Sequence, residues 1–494
     1  MAAIPSSTET VVDPGLGIVG AVSTTPAVIG TTSLGTANVV VSCSTQKKLT
    51  ETFGQGPAVE AASHILATGG GPVLVVRSST ATAATNGTVT QSGAGPLITL
   101  GGSSALDCKL RVEIVTGGTL GTAEFRYSLD TYTGDTESER SYSGTILCPA
   151  APYSVPGAGF TITFIAGTYV LGETYTATVN CAAATSANVT TALAALDATP
   201  LAWRFVYVVT SNLTGNTTAH EGIAAVTQAS LAAMAAESKY RAGMIASNMD
   251  DTSPLATWVN AYDRLLVAHG RVRSVSPKPF LAHSFPTVPG ATVFAARAAG
   301  SLISTDLKRV PGNGLNDGGP LPNLRKIFVD ERADSTGVDD VKISSLRTYL
   351  GRNGYYITQG RIKSTEGSDF TVWPRRIVMD VACEVAHSVQ VTFIGRGIRT
   401  NDNGTIDERD ALRLEAEVQS ALEATLLSPR NAEGTSGHCS EVLYTIDRTN
   451  NVLTTSTIQA TVAIRPLAYA DYITTNISFV ASIGAAVAPE EPVA

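Results

Sequence analysis

An α/β and α+β multidomain fold is predicted for this chain: mixed sheets with flanking helices, an inserted antiparallel β-sandwich, and extended N- and C-terminal arms. Three observations predict it. The 494 residues exceed several-fold the roughly 100–200 of an ordinary domain, so two to four domains are expected. The composition, 44% hydrophobic and 15% charged with 45 glycines, is too apolar for a disordered chain, which cannot bury enough surface to offset its ordering entropy. Finally, the hydrophobic period changes along the chain: helical and continuous apolar segments lie on both sides of a stretch of period two.

Residues 1–25 are Ser, Thr, Pro and Gly with scattered Val and Ile, too thin for a core, and are assigned as an N-terminal arm. Residues 26–100 and 200–290 are assigned to one discontinuous α/β domain. Its first part runs strand (26–30), strand (38–42), helix (44–53), helix (58–67) and, after Gly71, the apolar strand at 72–77. A run with no polar face is expected of a strand covered by helices on both sides. Between 101 and 198 the pattern alternates: Leu110, Val112 and Ile114, then Phe125 and Tyr127, then Phe160, Ile162 and Phe164, then Tyr175 and Val179 occupy every second position. Such alternation with Gly-rich turns predicts an inserted antiparallel sandwich. The α/β pattern resumes with a strand at 203–209, a helix at 220–240, a strand at 243–246 and a helix at 254–269. Trp258, Tyr262, Leu265 and Leu266 form a core stripe of that last helix.

Residues 296–470 are assigned to a C-terminal α+β domain and 471–494 to a C-terminal arm and tail. Thr405 and Glu408 fit a capping box for a helix to about Leu427, with Leu414, Val418, Leu422 and Leu426 along one side. Strands follow at 454–465 and 472–479.

The chemistry scan yields no local site. Glycines 15, 17 and 20 match G-x-G-x-x-G, but Pro14 precedes them and Pro26 follows, so the strand and helix that make that motif bind pyrophosphate are missing. The loop at 312–319 lacks the G-K-[ST] ending of a P-loop. Six histidines show no H-E-x-x-H spacing, and no serine sits in G-x-S-x-G. Asn401 to Gly404 reads as a turn rather than a calcium loop. The six cysteines, each more than thirty residues from the next, form no C-x-x-C pair and are expected to be free, buried thiols. No catalysis, cofactor or metal is expected. A net charge of −8 argues against nucleic acid as a partner. No apolar run approaches the roughly 18 residues of a membrane span, and the N-terminus lacks a signal-peptide pattern, so cytoplasmic synthesis is expected. Charge is segregated: residues 1–200 carry 7 basic against 13 acidic residues, and 297–376 carry 13 against 9.

Several segments taken in order carry a family resemblance: a strand from Ile29, a helix ending in Phe53-Gly54, a second helix through Val59, the glycines 69–71 and a Val-rich strand ending in Arg77. Further on come GYYITQGR at 354–361, Arg375-Arg376, a long helix and IRPLAYADYI at 464–473. Together they resemble the contractile tail sheath proteins of bacteriophages and related contractile injection systems. The resemblance implies a structural subunit, not an enzyme. It further implies hexameric rings stacked helically around an inner tail tube protein, contacts with baseplate and tail terminator proteins, and a place in the virion after assembly in the bacterial host cytoplasm. It also implies arms that add strands to neighbours' sheets. Val11, Val12, Ile18 and Val19 in one arm, and Ile473, Ile477 and Phe479 in the other, are the candidate inter-subunit contacts. Arg409, Arg413 and Glu417, on the polar side of the 405–428 helix, are the candidate tube-facing residues. Two other readings stay open from the residues: a phage or cell-surface decorating or fibre-type binding protein, and an α/β enzyme with a noncontiguous site.

Overall fold

The computed structural model describes residues 25–68, 71–130, 140–210, 217–247, 258–274, 287–299, 320–322, 324–331, 337–427 and 437–467. The chain begins with β1 (Pro26–Gly30), β2 (Val40–Cys43), α1 (Gln46–Phe53), α2 (Pro57–Ala67) and β3 (Val73–Arg77). Thr45 caps α1 by accepting from the Lys48 amide at 3.2 Å. Pro57 opens α2, where its missing N–H costs nothing.

Nine strands follow: β4 (Thr85–Asn86), β5 (Thr90–Ser92), β6 (Ile98–Gly102), β7 (Cys108–Thr116), β8 (Glu124–Ser128), β9 (Ile146–Leu147), β10 (Tyr153–Ser154), β11 (Phe160–Phe164) and β12 (Thr174–Asn180). They form two antiparallel sheets, β10-β11-β6 and β4-β12-β7-β8-β9 with β5 also on β12. The sheets enclose one apolar cluster containing Val112, Phe125, Phe160, Ile162 and Tyr175. The inward residues of β7 and β12 are those that the alternation marks.

The limits of this region differ from the expected 101–198. Pairing begins at Thr85, where Thr, Asn and Gln on short edge strands carry no hydrophobic period to read. It ends at Asn180, and the helix after it, α3 (Ser186–Asp197), packs on the parallel sheet through Val189, Ala192, Leu193 and Leu196. Thr82 and Ala183 pair across the point where the chain leaves and returns.

Next come β13 (Phe205–Val208), α4 (Thr217–Ala236), β14 (Ala242–Ala246) and β15 (Leu265–Ala268). With the first three strands they make a six-stranded sheet in the order β15-β14-β13-β1-β3-β2, parallel except for β2. Its strand residues divide between two covered faces. Ala27, Ile29, Leu74, Val76, Val206 and Val208 share a cluster with Val189 and Leu193 of α3 and Ile223 and Leu231 of α4; on the other face Val28 and Val75 lie under α2, while Phe205 stacks edge-on against Trp373 and Tyr207 meets Thr292, both in helices further along the chain.

The predicted helix at 254–269 is therefore a correction. Trp258 and Tyr262 are buried, as expected, but lie outside any helix, and Leu265 and Leu266 face opposite sides of the sheet. Four consecutive apolar residues form a strand buried on both faces, and their helical spacing from Trp258 is fortuitous.

The rest comprises β16 (Arg271–Ser274), β17 (Thr287–Pro289), α5 (Gly290–Ala299), β18 (Leu324–Ile327), β19 (Leu346–Tyr349), β20 (Arg352–Ile357), α6 (Trp373–Gln390), α7 (Glu408–Leu426), β21 (Cys439–Ile446), α8 (Val452–Thr455) and β22 (Ala460–Pro466). The boundary expected near 290–296 falls inside α5, whose Phe294 lies in the same cluster as Phe205, Trp373, Leu414 and Tyr444. One core thus runs from the parallel sheet into the C-terminal elements. The expected strand at 454–465 is also shorter: its start is α8, capped by Asn451, and pairing begins at Ala460. The expected capping box at Thr405 does not form. Asp407, two residues later, caps α7 by accepting from the Arg409 amide at 3.0 Å, while Thr405 donates to Asn403.

The α4 residue His220 is 2% exposed, and burial depresses its imidazole pKa to about 4. The folded state therefore favours the neutral ring. The sign follows: stability from this group is complete above its unfolded pKa of about 6.5 and falls as pH drops toward 4, by roughly 3 kcal/mol. Denaturation midpoints of a His220→Phe variant should lose that part of the acid dependence between pH 7 and pH 4.

Candidate assembly surfaces

The strands β21 and β22 form a two-stranded sheet packed on α7. In an antiparallel ladder alternate residues turn their backbone groups outward. On β21 the outward groups are taken by α7: Gln419 Nε2 donates to the Val442 carbonyl at 2.8 Å, the Tyr444 amide donates to Gln419 Oε1 at 2.8 Å, and the Ile446 amide donates to Glu415 Oε1 at 2.6 Å. Arg448 bridges Glu408 and Glu415, and its hydrogen bonds hold the Glu415 carboxyl below the usual range. One edge of the hairpin is thereby closed.

The other edge, β22, has no strand partner besides β21 among the described residues. Val462 and Ile464 lie opposite Tyr444 and Val442, so their backbone groups also turn outward. Exposed, unpaired strand groups of this kind template pairing with another strand. Beside the end of this edge, Phe370, Pro374, Val378, Met379, Ile464 and Pro466 line a cavity of about 190 Å³.

The helix α7 turns Leu414, Val418, Leu422 and Leu426 into the core, as its spacing predicts. Arg409, Arg413 and Glu417, at i, i+4 and i+8, lie on its exposed side with Leu412. Arg413 also comes within 3.9 Å of Asp410. Hydrogen bonds from Arg399, the largest cause, hold the Asp410 carboxyl down at about 2. The candidate arm residues Val11, Val12, Ile18, Val19, Ile473, Ile477 and Phe479 lie outside the described residues.

Sequence reasoning missed the junction beneath these surfaces. Arg204, Arg241 and Arg264 each stand immediately before a parallel strand, β13, β14 and β15, and the register brings them together at one end of the sheet. Two carboxylates one helical turn apart on α6 face them. Glu384 accepts from Arg204 at 2.8 Å and from Arg241 at 3.0 Å; Asp380 accepts from Arg264 at 3.0 and 3.2 Å and from Arg376 of its own helix. Asp380 is fully buried. Desolvation pulls the Arg204 pKa down, with Glu384 the main opposing influence.

Among the described residues, no group of three or more His, Cys, Asp or Glu could hold a metal ion, and no helix is long and apolar enough to cross a membrane. Five of the six cysteines are buried, Cys383 is half-buried, and none forms a disulfide.

No curated protein matches the chain. Among solved structures, it is similar to a chain of the anti-feeding prophage baseplate in its contracted state, at 12% identity and a TM-score of 0.52, over 97% of this chain and 99% of that one. A chain of the six-fold symmetrised baseplate of the same particle gives 10% identity and a TM-score of 0.50, over 97% and 100%. A sheath tail protein from Listeria innocua gives 11% and 0.44, over 90% and 95%. The resemblance carried by the sequence is thus borne out as a likeness of fold spanning nearly the whole chain. Residues 4–361 match the family model described as DUF2586, N-terminal domain, and the chain belongs to that family.

Proposed function

We propose that the chain is the structural subunit of a contractile tail sheath. It polymerises helically around an inner tube through strand exchange and contracts to drive the tube through a target envelope. The observation that carries this reading is the β22 edge, which has no strand partner besides β21 among the described residues and is followed in the sequence by Ile473, Ile477 and Phe479 alternating with Thr474, Asn476 and Ser478. A fold shared with a component of a contractile particle supports it.

In this reading Ile473, Ile477 and Phe479 of one subunit lie as a strand along β22 of a neighbour, and the arm bearing Val11, Val12, Ile18 and Val19 makes a second link. A strand added head to tail gives an open helix rather than a closed dimer. Gly, Ser and Thr between arm and body let subunits swing while the ladder holds. The work comes from a lower free energy of the contracted packing, released by the baseplate, and needs no nucleotide. The assembled product is a virion tail or tail-like particle, with the inner tube, baseplate and terminator proteins as partners. Electron microscopy of the purified full-length protein tests the proposal: regular hollow helical tubes are expected, and dispersed particles at all concentrations would overturn it.

The tube contact is assigned to Arg409, Arg413 and Glu417. Reversing Arg409 and Arg413 to Glu should weaken co-assembly with the tube protein, most at low salt, where exposed charges are least screened. Self-assembly of the variant should be unchanged, since neither arginine lies on the hairpin edge. Co-sedimentation with purified tube at two ionic strengths measures both.

A further inference from the structure

The junction between the parallel sheet and α6 holds more positive charge than its carboxylates balance. Arg204, Arg241, Arg264 and Arg376 converge there on two acids, Asp380 and Glu384, so four positive charges less two negative leave a formal excess of two. Arg204, Arg264 and Arg376 are buried. A guanidinium keeps its proton even in the interior, so the excess cannot be relieved by titration, and uncompensated buried charge is costly. The acids nearest in sequence to Arg204, Arg241 and Arg264 are engaged elsewhere: Lys239 holds Asp197 and Glu237, and exposed Asp263 accepts from Gln228. The charged groups that act on Arg204 are Glu384, Asp380 and Arg241 alone.

Unused donors mark where the balancing charge would sit. Arg204 donates from Nη1 to Glu384, while its Nε and Nη2 are buried without a hydrogen-bond partner. Those two N–H groups share one edge of the planar guanidinium, a fork that matches two oxygens of a single oxyanion. Arg241 uses Nη1 for Glu384 and for the Tyr240 carbonyl, and its Nε is also buried and unpartnered. Glu384 accepts from both arginines, one on each carboxylate oxygen, and the Arg241 guanidinium sits over the Trp203 ring at 5.5 Å, so the two side chains are fixed beside each other. Asp380 closes the inner end through Arg264 and Arg376, while Glu384, 29% exposed, and Arg241, 14% exposed, leave the outer end open to solvent.

We infer that this junction is a binding site for a small, doubly charged oxyanion of the phosphate or sulfate class, held by Arg204 Nε and Nη2 together with Arg241 Nε. Two negative charges cancel the excess, which a monocarboxylate or chloride would only halve. The depth of Arg204 admits a free ion and excludes a phosphate carried on a nucleic-acid backbone or a lipid surface. By engaging the residues that precede β13 and β14, both already tied to α6, the ion strengthens the link between the sheet and that helix and stabilises the fold by mass action.

Equilibrium dialysis of the full chain against radiolabelled inorganic phosphate at constant ionic strength should show saturable uptake of one ion per chain. Sulfate should compete at similar concentrations, and acetate should need at least about tenfold more, equivalent to about 1.4 kcal/mol of preference. Arg204→Lys keeps the charge but loses the fork, and Arg241→Gln removes a donor at the more open position; each should weaken uptake at least about tenfold. Urea midpoints give an independent readout. That of the unaltered chain should rise with phosphate and level off where dialysis saturates, whereas exclusion of the salt from the protein surface raises midpoints without levelling and does so in both variants. Absence of saturable uptake, uptake unchanged in both variants, or acetate competing as well as sulfate would overturn the inference.

Discussion

A chain lacking residues 472–494 should remain folded and soluble yet form no tubes. The deleted segment begins five residues after Leu467, where the described hairpin ends, and the core residues shared by the parallel sheet, α6 and α7, such as Phe205, Trp373, Leu414 and Tyr444, all precede it. Each of Ile473, Ile477 and Phe479 contributes roughly 1.5–3 kcal/mol if fully buried in a neighbour. Ordering the arm offsets part of that gain at every joint, and in the proposed joint the outward backbone groups of Val462 and Ile464 would set its register. Without the donor strand the acceptor edge stays intact and empty. A peptide covering residues 468–482 should therefore compete with the arm in the full-length protein and lower tube yield in proportion to its occupancy. Electron microscopy and light scattering report both effects. Abundant regular tubes from the truncated chain would remove strand donation by the C-terminal arm, while leaving the fold and family untouched.

How far the sequence could be read depends on which faces are buried. The sandwich strands β7 and β12 bury one face, so Leu110, Val112, Ile114, Tyr175 and Val179 alternate with polar residues and are unmistakable. The parallel strands bury both faces and lose that alternation. Those at 26–30, 73–77 and 205–208 are still recognisable as short apolar runs between helices, but 265–268 follows Trp258 and Tyr262 at helical spacing and reads as a helix. A better signal was available. Arg204, Arg241 and Arg264 each precede a short apolar run, and a guanidinium repeated before three such runs marks the same end of three neighbouring strands. Their partners on α6 lie 180, 143 and 116 residues away, beyond any local spacing rule. The hairpin's closed edge is similarly hidden, because Gln419 reaches the backbone of Val442 and Tyr444, and Glu415 reaches the Ile446 amide and Arg448 more than thirty residues away.

Replacing Asp380 with Asn should be the most damaging single substitution in the described core. Asp380 is fully buried and accepts from both Arg264 and Arg376, which are themselves buried. Asn keeps the shape but removes the charge, leaving two guanidinium groups in a low-dielectric setting with Glu384 already engaged by Arg204 and Arg241. Breaking a buried ion pair from one side costs about 3–5 kcal/mol, because the surviving charge cannot return to water. Glu384→Gln should cost less, since that carboxylate is 29% exposed and its loss strands only Arg204 in the interior, Arg241 being 14% exposed. Urea denaturation followed by circular dichroism measures both losses. The cost should fall if Arg376→Met is combined with Asp380→Leu, which removes charges of both signs and leaves Arg264 as the sole unpaired group. A loss under 1 kcal/mol for Asp380→Asn would mean that the junction opens to water. The rigid connection between the strand ends and α6 would then be absent, and the parallel sheet and the hairpin-bearing layer would be free to move separately in the proposed contraction.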